Sequence, residues 1–424
     1  MIFKPTTIAL AALAAFATSA SHAEGIEFKF SGFGTLAAVN SDERNADYVS
    51  TRFQPNGAGH TRSTDFGPET KLGGQVSAKF SDKVSGVLQV LSQHQWDNSY
   101  KPMVEWANVK YQFNEAISVR AGRIALPSYL LSESRFVGYA SPWAHAPSEV
   151  YSVLAVTSND GVDMTWRQGF GDANNTFQAF YGKGSSKLPT GEAKSKATWG
   201  FNNSVEIGSL LVRAGYTNVN LDLQVGSLAP LFGGMNQLAA SAAAVPLPAF
   251  QNSSAQALAL AEKYRLDKMK LSAIVLGLNY DPGTWFVMSE LVAFKGDGFL
   301  SDSTSWYVTG GHRIGSWTPY ATMASTRAHV DEEAGITAAV GTPLATGAAG
   351  INAGVNATLR QFNGSQDSIS AGVRWDAMRN VALKLQVERI SLKDGSNGRF
   401  TRVQPAFPVN AKVNLVTVAA DFVF

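Results

Sequence analysis

Asp367–Asp376 reads DSISAGVRWD, Val381–Glu388 reads VALKLQVE, and the chain closes on Val416–Phe424, VTVAADFVF. In each stretch apolar and polar residues alternate one by one. Ile369, Ala371, Val373 and Trp375 fall on one edge, and Ser368, Ser370, Gly372, Arg374 and Asp376 on the other. A period of two is the mark of a β-strand whose two faces meet different surroundings. Leu72, Gly74, Val76, Ala78 and Phe80 repeat the pattern far upstream, against Lys71, Gly73, Gln75, Ser77 and Lys79. A soluble sandwich would alternate too, so three further features decide the fold. The alternating segments run about 10 to 14 residues, against about 5–6 for strands of soluble proteins. Aromatic residues gather at segment ends, among them Trp166, Tyr181, Trp199, Tyr280, Trp285, Trp306, Trp317, Trp375, Phe422 and Phe424, as girdles at two lipid interfaces require. Short and long connections take turns along the chain.

The short connections fall near 81–83, 114–116, 169–174, 208–209, 281–283, 315–316 and 377–380. The long ones fall at 41–66, 98–103, 128–158, 185–196, 224–267, 295–303, 330–365 and 393–411. Seven short turns and eight long loops join sixteen strands, and both chain ends then lie on the short-turn side. The expected fold is all-β, a sixteen-stranded antiparallel transmembrane β-barrel. Closure follows from physics: an open sheet edge in hydrocarbon leaves backbone amides and carbonyls unpaired, at several kcal/mol each.

Composition agrees. Of 424 residues, 16% are charged and 45% hydrophobic, the net charge is +2, and there is no cysteine. That balance excludes a helical membrane protein, which needs apolar runs of about 20 residues. It gives no global electrostatic case for nucleic acid. The lack of cysteine removes disulfides, thiolate metal sites and cysteine nucleophiles. At the N-terminus, Lys4, the apolar run Ile8–Thr18 and the small residues ending at Ala23 read as an export leader over residues 1–23, leaving 24–424 as the barrel domain.

Catalysis finds little support. Among His22, His60, His94, His145, His312 and His329 no two later ones sit three or four apart, and there is no H-E-x-x-H, G-x-S-x-G or Walker loop. No metal site, cofactor or enzymatic activity is expected. The competing class is a barrel enzyme acting on lipid, for which His94 and His312 are the histidines near strand ends beside serines.

The inner face is more informative. If the apolar edges face lipid, parity turns Lys71, Lys79, Lys110, Arg120, Arg167, Arg213, Arg374 and Lys384 inward, with Asp163, Glu206, Asp376, Glu388 and Asp421. A cationic excess inside low-dielectric walls favours anions. The plainer alternative is that these groups pair with one another, Arg374 with Glu388 for instance. Arg123 breaks parity with Arg120, so either a bulge at Gly122 turns it inward or it sits at the rim. The stretch 128–149 carries Tyr129, Leu130, Leu131, Phe136, Val137, Tyr139 and Trp143 and needs burial. Folding it into the barrel narrows the pore and sets Glu133, Arg135, His145 and Glu149 against the basic wall. In 224–267, Ser253-Ser254 is expected to cap a helix over 255–265. Lys183, Lys187, Lys194 and Lys196 crowd another outer loop, where solvation or lipopolysaccharide phosphates would accept them.

Gly122–Ser134 (GRIALPSYLLSES), continuing as Val137–Trp143 and Pro147–Tyr151, the pieces Gln366–Ser368, Gly372–Asp376 and Ala382–Gln386, and the terminal strand ending in Phe424 together resemble the Gram-negative outer-membrane porin superfamily, in particular proteobacterial porins related to the phosphate-selective type. The resemblance runs over essentially the whole chain after the leader. It implies a trimeric, water-filled channel in the outer membrane with an inward-folded third loop, and it favours an inward Arg123. It does not name a solute, since the basic loop signature of a dedicated phosphate porin is not evident. The combined expectation is passive diffusion of small hydrophilic solutes and ions with mild anion preference. A substrate-specific channel for carboxylates or phosphate is the nearest alternative.

Overall fold

The computed structural model describes residues 25–152, 156–338 and 341–424. The leader lies outside the described residues. Sixteen wall strands follow in chain order: β1 Glu27–Ser41, β2 Lys71–Lys79, β3 Val84–Gln93, β4 Met103–Gln112, β5 Ile117–Ala125, β6 Ser158–Phe170, β7 Ala173–Leu188, β8 Gly191–Ile207, β9 Leu210–Val225, β10 Met269–Tyr280, β11 Trp285–Gly296, β12 Ser303–His312, β13 Trp317–Ala328, β14 Gln366–Met378, β15 Val381–Leu392 and β16 Lys412–Val423. Each pairs antiparallel with its neighbours in sequence, and the two-residue strand Thr64–Asp65 joins the same sheet. The sheet closes where β1 meets β16, from Phe33 opposite Val423 to Ser41 opposite Leu415. Phe424 exchanges backbone hydrogen bonds with Gly32 at 2.8 and 3.0 Å. The tip of its ring sits over Gly32, where a side chain's first carbon would come within 2.1 Å of it.

Parity holds around the wall. Leu383, Leu385 and Val387 are exposed on the outer face, while Lys384, Gln386 and Glu388 are buried on the inner one. Strand-to-strand turns on the short side are as tight as two residues. Gly171, Gly208 and Asn380 take positive φ there, a conformation that glycine and asparagine adopt at least cost.

The third loop, described over residues 126–152 and 156–157, folds into the barrel. Trp143 is 1% exposed and donates from Nε1 to the hydroxyls of Thr309 and Thr322 on the inner wall, 3.0 Å each. The helix α1, Ser148–Tyr151, packs in the same place.

Outside the third loop the expected connections need three corrections. Residues 185–196 are not an outer loop: β7 and β8 continue as a tall hairpin turned by Pro189 and Thr190. Alternation persists there, with Leu188 and Ala193 turned in and Lys183, Lys187, Lys194 and Lys196 turned out. The helix expected over 255–265 is α3, Pro248–Lys263. Pro248, pre-set for a first helical position, starts it, so Ser253 and Ser254 fall inside and bond back to Ala249 and Ala239 carbonyls. Two further helices, α2 Ala229–Ala243 and α4 Pro343–Phe362, complete an outer cap. Met235, Leu238, Leu260, Ile351, Val355 and Leu359 form its core with Phe299. The cap helices build on one another, whereas the third loop packs on the inner wall.

Candidate functional site

Between the third loop and the wall formed by β4 to β9 lies a water-accessible cleft of about 470 Å³. Lys110, Arg120, Arg167 and Arg213 line it from the wall, and Glu133 is the acid among the lining residues. Ser118, Thr165, Thr176, Gln178, Asn202 and Ser204 complete the wall, with Pro127, Leu130, Ser132 and Ser134 from the loop. Six adjacent strands deliver these groups because the pleat repeats every second residue and the register aligns Lys110, Arg120 and Asp163 directly across β4, β5 and β6.

The charges are unequally committed. Arg120 reaches Asp163 through Nε at 3.0 Å to both oxygens and reaches Glu133 through Nη1 at 3.1 Å. Gln178 donates to the same Asp163 at 2.7 Å. Arg213 gives its Nη2 to the Pro127 carbonyl at 2.7 Å, fixing the start of the third loop. Among the described residues, Lys110, Arg167 and Arg213 have no carboxylate within ion-pair distance. The cleft therefore keeps a positive surplus in a low-dielectric cylinder, where a field acts over longer range than in bulk water.

The other expected residues are distributed differently. Lys384 has no exposed side-chain surface. It pairs with Asp421 at 2.7 Å and donates to the carbonyls of Gly138, Ser141 and Trp143 at 2.8 to 2.9 Å. Arg374 donates to Tyr139 and Ser141 carbonyls at 2.6 and 3.2 Å, lies 4.6 Å over the Tyr139 ring, and pairs with Asp376 at 2.8 Å, not with Glu388. Both cations fasten the third loop. Lys71 sits inside near Glu69 at 3.8 Å. Arg123 stands on the outer face: β5 keeps its register through Gly122, and the guanidinium pairs with Asp160 at 2.7 Å beyond the lipid-facing Val162 and Met164. Arg135 leans on Phe136 at 5.1 Å and donates from Nη2 to the Tyr151 carbonyl at 3.4 Å, and burial lowers its pKa. Glu149 is fully buried, accepts from Gln366 at 2.7 Å, and is pushed up by burial and by Glu388.

Sequence reasoning placed Glu388 and His145 inside without pairing them with each other, and it left Arg52 and Arg399 aside. Glu388 pairs with His145 at 3.1 Å, both side chains nearly sealed from solvent. Burial opposes charge on the imidazole, yet Glu388 and then Glu69 hold its pKa up at about 9. Arg52 and Arg399, from the first and last outer loops, are depressed to about 10 and about 9 by burial, with Arg52 adding to the effect on Arg399. Neither has an ion-pair partner among the described residues. Nothing in their local sequence signals this burial, because the groups packed on them come from distant parts of the chain, the Gln361 carbonyl on Arg52 and the Thr326 hydroxyl on Arg399. His94 bonds Asn98 at 3.1 Å, and neither it nor His312 is hydrogen-bonded to a serine among the described residues.

No protein-family model and no curated protein matches the sequence. The backbone, however, is similar to solved outer-membrane proteins. These include OmpT of Vibrio cholerae, with 9% identity and a TM-score of 0.52 over 96% of this chain and 100% of that one. An anion-selective porin from Comamonas acidovorans shares 13% identity and a TM-score of 0.52 over 94% and 100%. The outer membrane channel DcaP of Acinetobacter baumannii shares 12% and 0.52 over 95% and 99%. The fold is that of an outer-membrane β-barrel of the porin type, an integral protein crossing the bilayer through all sixteen strands.

Proposed function

We propose that this chain, exported by a leader removed after Ala23, is a passive outer-membrane channel for small hydrophilic solutes with a mild preference for anions. The surplus of Lys110, Arg167 and Arg213 over Glu133 in the cleft beside the third loop carries this reading. Hydroxyl and amide side chains between the cations suit solutes that shed part of their water in passing. A similar fold serves the anion-selective porin of Comamonas acidovorans, which makes the reading economical. We also propose a homotrimer, the state recorded for one form of Vibrio cholerae OmpT. The support here is β2 to β5, 9 or 10 residues long against 13 to 17 in β6 to β9. The short face carries small outward residues, Gly74, Ala78, Gly86, Ala107 and Ala121.

Reversal potentials across planar bilayers in a KCl gradient test the assignment. Arg120→Ala removes a cation and leaves Asp163 uncompensated, and Arg213→Ala removes a second cation. Both should move selectivity toward potassium, while Arg123→Ala should leave it in place. Equal behaviour of all three variants would reject the cleft as the selective site. Saturable block of the conductance by phosphate or a carboxylate would replace general diffusion with a substrate-specific channel.

A further inference from the structure

The first outer loop, residues 42–70, leaves β1 and returns to β2, and its feet stay on that side. Ala46, Tyr48 and Ala58 share a core with Ile390, Leu392 and Phe400. Its tip does not stay there. Phe53 packs against Leu188, Ala193, Leu221 and Met269, which belong to β7, β8, β9 and β10. In the closed strand order those lie across the barrel from β1.

Two observations make the crossing more than a loop at rest. The inner face of a water-filled barrel is polar, yet Val219, Leu221, Leu223, Met269 and Leu271 form an apolar inner patch on β9 and β10. Such a patch is stable only under an apolar cover, and Phe53 with Leu300 supplies it. The tip is also braced. Ser50 Oγ and Gln54 Nε2 donate to the Pro68 carbonyl at 2.6 and 3.1 Å, and the Ser50 amide donates to Gln54 Oε1 at 2.9 Å. Asp47 gathers the Thr61 amide at 2.7 Å and the Gly57 amide at 3.4 Å. Arg52 ties the tip to the end of α4 through the Gln361 carbonyl at 2.9 Å. Beneath it, Tyr48 lies 5.3 Å from the His145 ring of the third loop.

We infer that the first outer loop is a second selectivity element, a fixed strap that divides the entrance above the third-loop constriction. Phe53 pins it to the far wall and sets the largest solute admitted. The inference rests on the channel reading above. It locates the size limit at the mouth as well as at the cleft.

Liposome swelling with uncharged sugars of graded size, together with single-channel conductance, tests it. Phe53→Ala should admit larger sugars and raise conductance, while Phe53→Leu should stay near wild type. Should Phe53→Ala fail to fold, Leu221→Asn attacks the same contact from the wall and should widen the limit in the same direction. A conducting wild type whose exclusion limit and conductance are unchanged in Phe53→Ala, or in Leu221→Asn where that variant stands in for it, overturns the strap and leaves the channel reading intact. A wild type that does not conduct overturns both.

Discussion

Lys384 and Lys110 carry the same charge on the same inner face, yet one is sealed under the third loop and the other borders water. Alternation in sequence gave both the same direction, because parity reports the face and nothing else. What a side chain meets there depends on a loop whose path is set by tertiary contacts. Arg123 shows the converse: its odd parity was visible in the sequence, and the outer face follows from it, since β5 passes Gly122 without a register shift. His145 shows what escapes a sequence altogether, being ionised by a carboxylate 243 positions later in the chain. Its pKa of about 9 against an ordinary 6.5 means that folding favours the protonated ring. The resulting stability is fully present below pH 6.5 and is lost as pH rises through 9, on the order of 3 kcal/mol. Unfolding midpoints in detergent should therefore fall between pH 6.5 and 10 in the wild type and fall less in His145→Gln. Parallel pH profiles for the two proteins would place the ionisation elsewhere.

Elements were legible in proportion to how much of their environment is local. A wall strand has lipid on one side and water or loop on the other along its whole length, so its periodicity is written residue by residue. The hairpin of β7 and β8 was read too short because exposed lysines and a Pro-Thr turn imitate a loop, although Leu188 and Ala193 kept the alternation. The cap helices α2 and α4 are rich in alanine and glycine and carry a single charge between them, Arg360 in the last turn of α4. They bury a face only within the cap, against each other, against Ala257 and Leu260 of α3 and against Phe299, a surface no single segment displays. The third loop was legible because its aromatic residues demand cover. Trp143 is its keystone, edge-on to Tyr307 at 5.6 Å as well as bonded to two threonines. Trp143→Ala should cost about 3–5 kcal/mol, as for large aromatic deletions in a packed core, and leave the loop loose in the pore. Single-channel records should then show added open-channel noise, and a quiet trace at wild-type conductance would mean that Lys384 and Arg374 hold the loop without it.

At the scale of the molecule, the outward surface is divided into two kinds. Trp166, Tyr181, Trp199 and Phe201 stand exposed on the tall strands β6 to β8, as bulky side chains do where flexible acyl chains fill the gaps between them. On β2 to β5 the strands are short, and small outward residues, Gly74, Ala78, Gly86, Ala107 and Ala121, alternate with larger ones such as Leu72, Val76, Leu88, Val109 and Tyr111, so that a trimer seated here would meet this wall most closely at the small ones. Small residues at membrane interfaces let backbones approach and gain dispersion contact that lipid does not supply. Gly74 separates the two possibilities. It is exposed, it has ordinary backbone angles, and a side chain added there would meet nothing within 4 Å of its first carbon. A single barrel should therefore accept Gly74→Trp and gain an apolar group suited to lipid. A trimer built on this face should not, because the indole would occupy the space of the neighbouring wall. Light scattering of detergent-extracted protein should give three barrels for wild type and one for Gly74→Trp, with both resisting unfolding alike. Three barrels in both would move the contact to another face, and a wild-type mass of one barrel would remove the trimer altogether.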